Sequence, residues 1–167
     1  MRRAILLALL SPAACATPGA EAEAPPAAYE AIAFEINSWG RPLGSWQVGA
    51  DGSVRHLEVV GSPFGAHRRE HREFAVDAAA YAELAALAAR VPTPRPSRED
   101  CEERATDLPY GTLRLTGPAG EEAVPFDTGC LDKPYQVFVG RLRAMDDFVG
   151  GWAEGRPATR VEEVGGH

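Results

Sequence analysis

His67, Glu70 and His71 fall within the stretch His67-Arg68-Arg69-Glu70-His71. On a helix, residues four apart share a face, so the two imidazoles could ligate one zinc ion while Glu70 served as base. The surroundings argue against that use. The stretch carries no apolar periodicity, and Arg68, Arg69 and Arg72 would crowd a dication, so it reads as a solvated basic loop with weak metal candidates. Glu99-Asp100-Cys101-Glu102-Glu103 offers carboxylates for calcium, but it lacks the alternating acidic spacing and the glycine of a calcium loop. Asp146 and Asp147 are neighbours in a helical stretch, where their side chains diverge by about 100°, so they are no general acid–base pair. The chain has no G-x-S-x-G and no glycine loop that would cradle phosphate. No residue is assigned a catalytic role, and no cofactor is assigned. Trp39 and Arg41 stand at a hairpin tip, and an exposed aromatic beside an arginine is a typical anchor for a binding partner.

The first of the three cysteines lies near the start of the chain. Met1-Arg2-Arg3 is basic, Ala4 to Leu10 is apolar, and Ser11 to Ala16 is a small-residue patch around Cys15. A bilayer-spanning helix needs ~20 apolar residues, so the short run reads as an export signal. Pro12-Ala13-Ala14-Cys15 resembles a bacterial lipobox. The resemblance implies a signal peptide over 1–14, lipidation of Cys15, and a cell-envelope protein facing the periplasm on an N-terminal lipid anchor. The other reading takes Ala14-Cys15-Ala16 as an A-x-A site and leaves a soluble periplasmic or secreted protein. Residues 15–28 are rich in Ala, Glu and Pro and carry no large apolar side chain, which predicts a disordered tether. The pattern H-x-x-E-H resembles the inverted zinc-peptidase motif, which implies a small zinc hydrolase as an alternative function.

In an exported chain, Cys101 and Cys130 form an even pair and predict a disulfide. The formal net charge of −7 repels nucleic acid and anionic lipid headgroups, so neither is an expected partner.

The elements that must position these residues follow from periodicity. Ile32, Phe34 and Ile36 alternate with polar neighbours and predict a strand over 29–39. Strands over 46–50 and 54–60 flank Asp51-Gly52, a two-residue hairpin turn that would set Trp46 opposite Leu57. Aligning Ile36 with Val48 leaves Trp39 off the core face. Residues 61–73 read as a loop. Asp77 caps a helix over 78–90 with Tyr81, Leu84, Leu87 and Val91 on one side. Strands over 110–116 and 121–127 pair with Leu113 opposite Phe126. A second helix over 135–152 carries the stripe Tyr135, Phe138, Val139, Leu142, Met145, Val149 and Trp152, with Asp146 and Asp147 outside it.

The order β-β-β-α-β-β-α predicts an α+β fold: a five-stranded, mainly antiparallel sheet with two helices on one face. It forms a single domain over 29–153, followed by a polar C-terminal tail over 154–167. The element order resembles that of emfourin-type protease inhibitors of bacteria, with no residue carried over from them. The expected function is non-catalytic: a cell-envelope lipoprotein whose small domain binds an envelope protein or peptide, a protease inhibitor being one form. A structural subunit of an envelope assembly is the third alternative.

Overall fold

The computed structural model describes residues 29–165. The expected signal peptide, Cys15 and the expected tether lie outside the described residues. Nine elements follow in order: β1 (Ala31–Ser38), β2 (Arg41–Gly49), β3 (Ser53–Gly61), β4 (His67–Ala75), α1 (Ala78–Ala88), β5 (Tyr110–Gly117), β6 (Gly120–Asp127), α2 (Lys133–Ala153) and β7 (Arg160–Val164). The fold is α+β, as expected. The sheet has seven strands rather than five, in the order β6-β5-β1-β2-β3-β4-β7, with every pairing antiparallel.

The two additional strands were hidden for one reason. β4 carries charged or imidazole side chains at seven of its nine positions, so apolar alternation is missing although the chain is fully extended. Charge pairing across the ladder replaces it: Arg72 reaches Glu58 of β3 at 2.8 Å. β7 was expected within the polar tail. It pairs His71↔Arg160 through His67↔Val164, and the Thr159 N–H donates to the His71 carbonyl at 2.7 Å just before the ladder begins.

The registers also differ from expectation. Trp46 faces His56, not Leu57, because the β2–β3 loop has three residues (Ala50, Asp51, Gly52) instead of two. Gly52 takes φ +81° and its N–H returns to the Gly49 carbonyl at 2.9 Å, the three-residue hairpin in which a left-handed glycine closes the turn. A β-carbon there would lie 2.3 Å from the Val76 carbonyl oxygen. One residue of slip exchanges the two faces of a strand, which is why His56 and Arg72 join Trp46 on the helix side. Phe34 pairs with Trp46, and Leu113 with Val124. The latter shift is two residues and leaves the faces unchanged.

Both helices pack on one face of the sheet. Ile32, Phe34, Trp46, Val48, Val54, Leu113, Leu115, Val124 and Phe126 meet Tyr81, Leu84 and Ala88 of α1 and six residues of the expected α2 stripe in one buried cluster. Trp152, the last residue of that stripe, is only half-buried and packs edge-on against Phe148. α1 ends at Ala88, two residues early, with Val91 still buried beyond it. Its predicted cap is present: Asp77 Oδ1 accepts the Ala80 N–H at 2.8 Å. The expected Cys101–Cys130 disulfide is formed across a Cα–Cα distance of 5.8 Å. Among the described residues, no helix is long and apolar enough to cross a membrane.

Candidate functional site

Strand geometry separates the three residues of the H-x-x-E-H stretch. In β4 successive side chains alternate, so Glu70 points away from the face shared by His67 and His71. Four residues of strand span ~13 Å, too far for two imidazoles to hold one ion. Each group also has another partner. His67 Nδ1 lies 3.0 Å from the Gly65 carbonyl, and His71 sits against Arg160 and Glu162 of β7. Glu70 takes hydrogen bonds from Arg68 and Arg72, both at 2.6 Å; the Arg68 bond is the main influence holding its carboxyl below the usual range. A base held ionised by two guanidiniums is a weak base. The helix on which the zinc reading depends is therefore replaced by a strand. Among the described residues, the grouping close enough to share an ion is Cys101, Cys130 and Asp132, and its two sulfurs are bonded to each other.

The hairpin tip places the expected pair at the edge of the molecule. Trp39 and Gly40 alone connect β1 to β2, with φ of 51° and 73°. Two left-handed residues in a two-residue loop make the turn whose twist suits a hairpin, normally filled by Asn-Gly. A tryptophan there is 67% exposed. The Gly40 N–H donates to the Tyr110 hydroxyl at 3.0 Å, tying the turn to β5. Arg41 donates to the Pro63 carbonyl at 2.9 Å and lies 5.7 Å from the centre of the exposed Phe64 ring. Trp39 thus divides two shallow hollows, one shared with Arg41 and Phe64, the other with Arg104, Leu108 and Tyr110. Sequence reasoning found Trp39 and Arg41. It missed Phe64, Leu108 and Tyr110, which come from two distant segments, the β3–β4 loop and the start of β5.

A second concavity lies on the helix side, beneath the C-terminal half of α2. It has a volume of about 660 Å³ and is walled by Trp46, His56, Glu58 and Arg72 from the sheet and by Asp146, Asp147, Gly150 and Gly151 from the helix. Asp146, expected on the outer side, is half-buried because the Trp46 indole N–H donates to its Oδ1 at 2.9 Å. Burial pushes the Asp146 carboxyl up; the indole bond opposes this and the Asp147 charge adds to it. His56 is held below its ordinary value by burial and then by Arg72, with Glu58 opposing. Its Nδ1 is buried without a hydrogen-bond partner.

The other face of the sheet is open. A row runs across it from Thr112 through Glu35, Ser45, Leu57 and His71 to Arg160. Its charges compensate locally, Arg114 lying 3.6 Å from Glu35 and 3.2 Å from Glu121, as on a solvated surface.

Comparison with known proteins finds no matching family model, no similar curated protein and no similar solved structure.

Proposed function

We propose that this chain is a non-catalytic cell-envelope lipoprotein whose domain binds a protein or peptide through the Trp39 end of the sheet. The observation that carries the binding reading is a 67% exposed tryptophan in a left-handed turn position. Holding a non-glycine residue there costs about 1–3 kcal/mol, and exposing an indole gains the folded chain nothing in return. Arg41, Phe64 and Tyr110 around it supply the aromatic and arginine chemistry of interface hot spots. A protease is one partner class, which such a surface would serve as an inhibitor.

Trp39→Ala is the direct test. Capture of partners by the immobilised full domain from an envelope extract should weaken by ~2 kcal/mol or more, roughly thirtyfold, with the melting temperature nearly unchanged. Equal capture by wild type and variant would sink the reading.

The envelope assignment rests on the basic start, the short apolar run and the small residues before Cys15. Intact-mass measurement on membrane-fraction protein should show a diacylglyceryl-sized addition at Cys15. A soluble mature chain beginning at Thr17 would contradict it.

A further inference from the structure

We propose that the cleft beneath the C-terminal half of α2 binds a compact organic cation, an ammonium or guanidinium group on a short apolar stem. None of its residues belongs to the Trp39 surface.

Charge selects the ligand's sign. Asp146 and Asp147 enter from α2, Glu154 from its C-terminal end and Glu58 from β3. The cation among the lining residues is Arg72, and it is already engaged: Nη1 with Glu58 at 2.8 Å, Nη2 with Glu70 at 2.6 Å, and Nε donating to the Arg156 carbonyl at 2.9 Å. Among the described residues, Asp146, Asp147 and Glu154 form no ion pair. Burial, and then the Arg72 guanidinium, disfavour a charged His56.

Space selects its size. Gly150 and Gly151 occupy successive helix positions, where each costs roughly 1 kcal/mol relative to alanine. Packing does not demand them, since no atom lies within 4 Å of the place a β-carbon would take at either. Opposite, Gly44 leaves the β2 wall bare. The cleft, at about 660 Å³, falls in the range of small-molecule sites, roughly 300–1,000 Å³. Ile36 and Leu43 give an apolar lining for a stem. The Asp146 carboxylate is held in place by the indole N–H at one oxygen, and its hydrogen-bonding capacity at the other is free for a cationic donor.

The test follows the three tryptophan indole N–H signals of the full chain by NMR, with Trp46 identified by its loss in Trp46→Phe. The probes are agmatine, the tripeptide Gly-Arg-Gly as its amide, and uncharged N-butylurea. Agmatine or the tripeptide should shift the Trp46 signal saturably, and N-butylurea should not. Saturation by agmatine alone assigns a free small cation; saturation by the tripeptide assigns an arginine side chain presented by a peptide. Asp146→Asn, which retains an oxygen to accept the indole N–H, should lower affinity at least tenfold. Gly150→Leu, which fills the cleft from a position with room for it, should abolish binding while the protein stays folded. No saturation with either cation, equal binding of N-butylurea, or undiminished binding in folded Gly150→Leu would overturn the assignment.

Discussion

Trp46→Ala is expected to destabilise the domain by about 3–5 kcal/mol, a large part of the 5–15 kcal/mol that holds a small domain folded. The side chain is 3% exposed and lies at the end of an aromatic stack, 5.6 Å from Phe34, which lies 5.3 Å from Phe126. Truncation opens a cavity beneath both helices. It also removes the donor to Asp146, leaving a half-buried carboxylate without its hydrogen bond. Trp46→Phe separates the two losses, since it keeps most of the packing and should cost only about 1–2 kcal/mol for the orphaned acceptor. Urea unfolding followed by circular dichroism measures both. A Trp46→Ala midpoint close to wild type would mean that the indole is not part of the core.

Removing the disulfide should have an effect of similar size. Cys101 and Cys130 are 29 residues apart, and closing such a loop stabilises by ~3–4 kcal/mol in the chain-entropy picture. The bridge anchors a segment with little apolar burial of its own. Residues 98–109 contain no strand or helix of the sheet and are held by polar contacts: the Glu102 and Glu103 N–H groups donate to Asp132 at 2.9 and 3.0 Å, and the Leu131 N–H to the Glu103 carbonyl at 2.8 Å. Reduction, or replacement of both cysteines by alanine, should lower the melting temperature by roughly 10 °C. Identical melting with and without reductant would contradict this. Non-reducing peptide mapping should recover the two cysteine peptides joined.

What could be read from the residues divides along physical lines. α2 was legible because seven apolar residues recur at helical spacing, and α1 because Asp77 precedes an alanine-rich run. The disulfide was legible because an even pair of cysteines lay within reach of one another. Trp39 was legible as lying off the core, although the register used to place it was wrong. Registers were not legible, because they turn on loop geometry: Trp-Gly closes one hairpin in a conformation tryptophan seldom adopts, and Asp-Gly closes the next with one residue more than its usual two. β4 and β7 were not legible, because strands whose side chains are mostly charged hide their alternation. The cleft joins residues from β2, β3, β4 and α2. Its deepest carboxylate lies on a helix flank that the apolar stripe alone assigns to solvent.

β7 closes one end of the sheet with residues 160–164, and its partner β4 is completed some ninety positions earlier in the chain. Until β7 is in place, the outer edge of β4 is an unpaired row of backbone donors and acceptors, the kind of edge that recruits other chains. The charges of β4 answer that hazard: arginines and glutamates spaced along a bare edge would have to shed water for a second copy to pair there. The same density that hides β4 as a strand keeps a half-formed sheet from adding neighbours before β7 can close it.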